Sequence, residues 1–279
     1  MSARSYVVLL GTGTPNPDPN RMGPALAVVV DDRAYLVDFG PGVVRRAAAA
    51  YEAGISALDV TTLDIAFLTH LHSDHTAGYP DLVLSPWVMG RRRPLTVYGP
   101  PGIAAMTEHL LAAYQMDRTA RVCGREPIDA AGYGVIAIEI EPGVCYEDER
   151  VCVEAFGVNH GDMWLALGYQ FTTSDRRIVI SGDTAPDDTL LDLWHGCDLL
   201  VHEVYSARGL NSRPHAWRRY HSQMHTSSVE LAAIATKVRP SKLVLTHVLF
   251  WGISEQALLA EINAEYEGTV VCGEDLGVY

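Results

Sequence analysis

The chain has 279 residues, 48% of them hydrophobic and 20% charged, so it is long enough to bury a large core as one α/β domain over residues 1–279. The formal net charge of −13 disfavours nucleic acid as a non-specific partner, although a local basic groove stays open. The five cysteines are scattered and form no C-x-x-C pair, which argues against a disulfide framework and against a thiolate zinc site.

The first apolar run, residues 6–10, is too short to span a membrane and lacks the basic region and longer apolar stretch of a signal peptide. We therefore expect a cytoplasmic protein without a membrane partner. Similar short, β-branched runs bounded by turn residues predict strands along the whole chain. They lie at 6–10, 25–30, 34–37, 65–68, 95–98, 135–140, 151–158, 165–172, 177–180, 199–201, 243–245 and 269–271.

Helical patterns alternate with these strands, and several begin at a residue that favours a helix start, such as Ser254. They lie at 42–53, 80–89, 102–115, 186–194, 227–238 and 254–265. Residues 206–223 carry four arginines but little apolar periodicity, which predicts a long surface loop. The alternation predicts two sheets covered by helices.

The chemistry is concentrated in T-H-L-H-S-D-H, residues 69–75, directly after the strand at 65–68. Side chains alternate along an extended chain, so His70 and His72 point the same way, while Asp74 and His75 lie in the following turn. Imidazole and carboxylate suit zinc, and they also accommodate manganese or iron. The alternative is a set of hydrogen-bonded surface histidines, but protonated imidazoles packed this tightly would repel one another.

This His70-x-His72-x-Asp74-His75 run resembles the signature of the metallo-β-lactamase superfamily. The resemblance implies a four-layer αββα sandwich of two mixed sheets that binds two divalent metal ions. It also implies three further ligands, each after a predicted strand: His160 in V-N-H-G, Asp183 in S-G-D-T and His247 in L-T-H.

Asp38, in L-V-D-F-G-P-G, resembles an early aspartate of the superfamily that orients the site without binding metal. A turn-forming aspartate before Gly40 and Gly42 explains the same pattern equally well.

Further motifs resemble the ribonuclease Z branch and its arylsulfatase-like relatives. They are L-G-T-G-T-P-N-P at 10–17, V-H-E-V with Glu203, H-T-S at 225–227 and G-E-D-L at 273–276. Members of this branch are commonly dimers, so we expect a homodimer, with the apolar segments 227–238 or 79–89 as candidate interfaces.

One departure bears on the substrate. Bacterial ribonuclease Z carries a long arm that grips transfer RNA between the third histidine and the bridging aspartate, whereas here only twenty-two residues separate His160 from Asp183. The first interpretation is therefore a hydrolase of a small, anionic ester, either a phosphodiester or an aryl sulfate. The alternatives are a ribonuclease Z-like transfer RNA 3′-end endonuclease without the arm and a lactone or carboxylic ester hydrolase.

The expected mechanism uses a bridging hydroxide, because two cations lower the pKa of shared water from about 15.7 toward neutrality. Asp74 would bind metal and accept a hydrogen bond from this nucleophile. By the resemblance, His225 would stabilise or protonate the leaving oxygen, with Glu203 fixing its tautomer. The alternative for His225 is a helix-start residue beside Thr226 and Ser227.

The segment 206–223 connects Glu203 to His225, so we expect it near the pocket mouth. Its arginines suit an anionic ester, and Trp217 and Tyr220 suit an aromatic leaving group, although a charged loop is more often simply solvated. The arginines are Arg208, Arg213, Arg218 and Arg219. The run 91–93 is expected to be only a basic helix end.

Two other classes fit less well. A non-catalytic metal-binding protein would not need Glu203 and His225. A redox diiron protein of the superfamily resembles a pattern with glutamate in the first motif, where this chain has His72.

Overall fold

The computed structural model describes residues 5–126 and 128–279. These residues form two compact units, each built around one mixed sheet. The first unit comprises residues 5–11, 15–126, 128–140 and 275–278, and the second comprises 12–14, 141–274 and 279. The single domain over the whole chain remains a prediction.

The first unit contains a six-stranded sheet in the order β1-β2-β3-β4-β5-β6. Its strands are β1 (Ser5–Gly11), β2 (Ala25–Val30), β3 (Arg33–Val37), β4 (Ile65–Phe67), β5 (Leu95–Gly99) and β6 (Val135–Glu139). The pairs from β1 to β3 are antiparallel and the pairs from β3 to β6 are parallel. Its helices are α1 (Val43–Glu52), α2 (Ser73–Thr76), α3 (Tyr79–Val88), α4 (Ile103–Ala113) and α5 (Gln115–Val122).

The second unit contains a seven-stranded sheet in the order β13-β12-β11-β10-β9-β8-β7. Its strands are β7 (Gly143–Glu147), β8 (Val151–Val158), β9 (Ala166–Thr173), β10 (Arg177–Ile180), β11 (Leu199–Tyr205), β12 (Lys242–Leu249) and β13 (Val270–Cys272). Pairing is antiparallel from β7 to β10 and parallel from β10 to β13. Its helices are α6 (Leu191–Trp194), α7 (Ala207–Asn211), α8 (His215–Met224), α9 (Ser228–Val238) and α10 (Glu255–Asn263).

The central strands of both sheets are buried on both faces, which gives them continuous apolar sequences. Every residue of β2 and of β11 is buried, and the sequence of β2 is almost wholly alanine and valine, as expected for a strand covered on both faces. The predicted combination of two mixed sheets with helices is confirmed.

The prediction of a loop at 206–223 is wrong, because this segment forms α7 and α8. Ser206 caps α7 by accepting a hydrogen bond from the backbone N–H of Gly209, and Pro214 precedes the first turn of α8. Apolar periodicity is weak because residues 211–220 are all exposed, so α8 buries little of its surface.

Among the residues that the structure describes, no helix has the length and apolar character needed to cross a membrane.

Candidate functional site

The first group of predicted ligands lies in the first unit, where the chain leaves β4. His70, Asp74 and His75 are buried, and the Nε2 atom of His70 lies 3.0 Å from Nδ1 of His72. His72 precedes the single turn of α2, which carries Asp74 and His75 and places the His75 ring 4.1 Å from that of His70. The structure thus brings all four residues of this motif together.

Asp38 fixes the position of Thr69 and His75 by hydrogen bonds. Its carboxylate accepts hydrogen bonds of 2.8 Å from the backbone N–H of Thr69 and from Nδ1 of His75. The Nε2 atom of His75 lies 3.5 Å from the Asp74 carboxylate, on the opposite side of the ring. Asp38 also has a φ of 59°, which aspartate tolerates better than most residues, and its carboxylate orients the His75 ring.

The remaining predicted ligands lie in the second unit, at the ends of its strands. His160 follows β8, Asp183 follows β10, and His247 lies in β12; all three are buried. The Nε2 atom of His247 is 3.3 Å from the Asp183 carboxylate. The Nδ1 atom of His160 donates to the backbone carbonyl of Met224 at 2.8 Å, which fixes the orientation of the ring.

A β-bulge determines the direction of His247. Thr246 pairs with Glu203 and Val248 pairs with Val204, so His247 is an extra residue in β12. Its φ of 46° is costly for a residue with a side chain, and bulges of this kind redirect side chains next to active sites. The strain indicates that the rest of the sheet enforces this orientation.

Glu203 and His225 form a buried pair in the same unit. The Oε1 atom of Glu203 accepts hydrogen bonds from Nδ1 of His225 at 3.0 Å and from the backbone N–H groups of Thr184 and Thr226 at 3.1 and 3.3 Å. Burial raises the pKa of the Glu203 carboxyl, and the neighbouring His225 opposes this shift. This contact fixes the His225 tautomer.

The neighbouring His202 is a packed residue of the protein interior. It is fully buried, its Nδ1 atom donates to the Glu203 carbonyl, and its ring packs edge-on against Trp194. Burial lowers the pKa of His202 to about 4, so the ring is neutral at physiological pH. Glu203 is thus the residue of the V-H-E-V motif whose side chain is hydrogen-bonded to His225.

The donor types at these positions, buried imidazole and carboxylate groups, suit divalent cations. Within the second unit, ligand atoms of His160, Asp183 and His225 lie within 4.8 Å of one another. Buried imidazoles held through their second nitrogen by a carboxylate or a carbonyl, as at His75 and His160, are the usual arrangement of metal-binding histidines. The contacts from the Met224 carbonyl and from the Thr184 and Thr226 amides have no sequence signal, because any residue offers these backbone atoms.

A family model described as the Beta-lactamase superfamily domain matches residues 33–248, so the chain belongs to the metallo-β-lactamase superfamily. Within it, the chain falls in the ribonuclease Z branch. Ribonuclease Z of Mycobacterium bovis is 32% identical over 275 residues, which is 97% of this chain and 96% of that protein. Ribonuclease Z of Mycobacterium sp. (strain KMS) is 36% identical over 245 residues, covering 87% of this chain and 84% of that one.

Solved structures show the same fold at lower identity. The metallo-β-lactamase fold protein YhfI from Bacillus subtilis has a TM-score of 0.76 and 19% identity, covering 99% of this chain and 100% of its own. Human tRNase Z, short form, has a TM-score of 0.70 and 22% identity, with 98% of each chain covered. The protein is a metal-dependent hydrolase of this superfamily, whose fold implies bound divalent metal ions.

Proposed function

We propose that the protein is a ribonuclease Z-like phosphodiesterase that cleaves RNA with two divalent metal ions. The observation that carries the proposal is the match to ribonuclease Z along almost the whole chain, with the buried donor groups and the Glu203–His225 pair in family order. The proposed ligands are His70, His72, Asp74, His75, His160, Asp183 and His247. Zinc is the preferred metal because imidazole and carboxylate suit it, with manganese and iron as alternatives.

The lack of a long arm between His160 and Asp183 is not a reason to prefer a small ester over RNA as the substrate. The absence of an arm between His160 and Asp183 favoured a small ester, and this interval does contain the β9 and β10 hairpin. However, the 275 aligned residues make up 97% of this chain and 96% of the Mycobacterium bovis protein, so that ribonuclease Z has no room for a long arm either. The short interval therefore does not separate this chain from that relative.

In this proposal different side chains have different roles in hydrolysis. Two divalent ions held by these residues would lower the pKa of a bound water and neutralise negative charge on the substrate oxygens. Asp38 orients His75, and the Met224 carbonyl orients His160. In this proposal Asp74 binds metal and accepts a hydrogen bond from the attacking water.

Glu203 and His225 manage the leaving group in this proposal. The Glu203 carboxylate holds the proton on Nδ1 of His225 and stabilises the imidazolium form by its negative charge. The imidazolium then donates the proton on Nε2 to the leaving oxygen. General acid catalysis of this kind contributes about 10²- to 10⁴-fold in rate.

A small anionic ester, either an aryl phosphodiester or an aryl sulfate, is the second candidate. The observation in its favour is the formal net charge of −13, which provides no general attraction to RNA. Lactones and carboxylic esters need no anion-binding groups and would be cleaved by the same hydrolytic machinery.

A substrate panel distinguishes these candidates. We would incubate zinc- or manganese-loaded protein with transfer RNA carrying a 3′ extension, bis(p-nitrophenyl) phosphate, p-nitrophenyl sulfate and a lactone, with the Asp183→Ala variant as control. We expect metal-dependent cleavage of the RNA at a defined position and no cleavage by the variant. Hydrolysis of the sulfate or the lactone with intact RNA would overturn the ribonuclease proposal.

A homodimer is part of the same proposal. The apolar residues of α3 and α9 are largely buried inside their own units, for example Trp87 and Leu231, so neither helix offers a continuous apolar face to a partner. We therefore do not place the dimer interface on α3 or α9.

A further inference from the structure

A row of rings leads from the exposed side of α8 to the Glu203–His225 pair. The Trp217 indole stacks on His221 with centroids 5.5 Å apart and planes 20° apart. His221 lies 5.6 Å from His225 at 32°, and His225 stacks on His247 at 5.6 Å and 20°. Trp251 packs edge-on against His221 at 4.7 Å and supports the row from the side.

The outer end of this row is open to solvent. Trp217 is 56% exposed and Tyr220 is 45% exposed, and their rings lie 6.0 Å apart at 85°. We call these two residues the aromatic platform. One exposed aromatic residue is ordinary, but this pair continues a series of ring contacts that reaches the candidate catalytic histidine.

The platform lies in a locally basic segment of an acidic protein. Arg213, Arg218 and Arg219 are exposed in or beside α8, and the sequence contains no aspartate or glutamate between Glu203 and Glu230. Burial, reinforced by His225 and Arg213, lowers the pKa of His221 to about 4, so the ring beneath Trp217 is neutral. A phosphate chain crossing α8 would meet cations and no opposing carboxylate from this segment.

We propose that the aromatic platform stacks the unpaired bases of a single-stranded nucleic acid end, with Arg218 and Arg219 contacting its phosphates, and so guides that strand toward His225. As a description of substrate binding, this inference rests on the proposed ribonuclease function. Aromatic side chains stack on any base, because every base has a π face, while flanking cations follow the backbone. The expected recognition is therefore tolerant of sequence but selective for single strands.

Binding can be measured without cleavage of RNA. We would titrate metal-loaded protein into a fluorescein-labelled, single-stranded oligodeoxythymidylate and follow anisotropy, with a duplex of equal length as competitor. We expect Trp217→Ala to raise the Kd about tenfold or more, the loss expected for one stacked base. Tyr51→Ala is the matched control, because Tyr51 is 47% exposed on α1 and should leave the Kd unchanged.

Two further variants make the result decisive. Trp217→Phe keeps an aromatic face and should retain most of the affinity, which separates stacking from misfolding of α8. Arg218→Ser should reduce the slope of log Kd against log salt by about 0.7, the value for one phosphate contact on a single strand.

Equal Kd values for Trp217→Ala and Tyr51→Ala would overturn the platform, as would equal affinity for duplex and single strand or no binding of single strand. None of these results bears on cleavage in the substrate panel. Conversely, intact RNA in that panel with normal oligonucleotide binding would overturn the ribonuclease proposal alone.

Discussion

Glu203 is a carboxylate that folding alone would not place in the interior. It is 1% exposed, and burying a carboxylate is costly unless its charge is compensated. The compensation comes from two backbone N–H groups and from Nδ1 of His225, all directed at one oxygen. We therefore interpret the pair as a device that holds His225 in one tautomer.

Replacing His225 tests this interpretation. We expect His225→Ala to lower kcat by about 10²- to 10⁴-fold, because a general acid is lost, while the bound metal stays unchanged. Turnover is measured on the substrate that the panel identifies, and metal content by mass spectrometry. His109→Ala, which removes an exposed histidine on α4, should behave as wild type.

Loss of metal in parallel with activity would instead make His225 a ligand. His225 is close enough for this role, because one of its ring nitrogens lies within 4.8 Å of ligand atoms of His160 and Asp183.

Sequence reasoning identified the residues of the candidate site because their types and order carry the signal. The T-H-L-H-S-D-H run, the glutamate of V-H-E-V and the histidine of H-T-S are recognisable side chains at strand or helix ends. Their orientation was not predictable. The bulge at His247 depends on strand register, and the carbonyl that holds His160 belongs to Met224, far along the chain.

At the scale of elements, helices with little buried surface were the hardest to predict. α8 leaves most of its residues exposed, and α5 has no buried residue, so neither has the broad apolar face by which a packed helix is recognised in a sequence. Edge strand β7 was also missed, because its sequence G-V-C-Y-E has a shorter apolar run than V-I-A-I in β6, which is equally exposed but was predicted. Strands of the buried sheets were found, since continuous apolar runs are their direct consequence.

The end of α3 shows an interaction that sequence reasoning misread. Arg91 was expected to be part of a basic helix end, yet it is only 1% exposed and donates to four backbone carbonyls. One acceptor is Leu82, whose usual intrahelical donor would be residue 86, which is a proline without an N–H. Burial lowers the pKa of Arg91 to about 10, so the guanidinium remains charged at neutral pH.

We expect Arg91→Met to reduce the free energy of unfolding by about 3 kcal/mol or more, because several buried carbonyls lose their donor at once. Arg92→Met, one residue along in an exposed position, should change it by less than about 0.5 kcal/mol. Urea denaturation of the two variants measures the difference. Equal midpoints would contradict the role assigned to Arg91.

At the scale of the whole molecule, the net charge does not decide whether the protein binds RNA. The value of −13 disfavoured nucleic acid, but charges beyond about 8–10 Å are screened at physiological salt. A strand on α8 would respond mainly to the nearby arginines. The similarity to ribonuclease Z covers 97% of the chain. It favours the ribonuclease Z-like endonuclease, which the net charge had made the second interpretation.

The central claim is that the buried histidines and aspartates of this chain bind two divalent metal ions. The most direct test is the metal content of wild-type and Asp183→Ala protein, measured by inductively coupled plasma mass spectrometry after dialysis against metal-free buffer. We expect about two divalent ions per wild-type chain, as in dinuclear hydrolytic sites, and one or fewer in the variant. A wild-type chain without bound metal after loading, or a variant that retains the wild-type content, would contradict the claim.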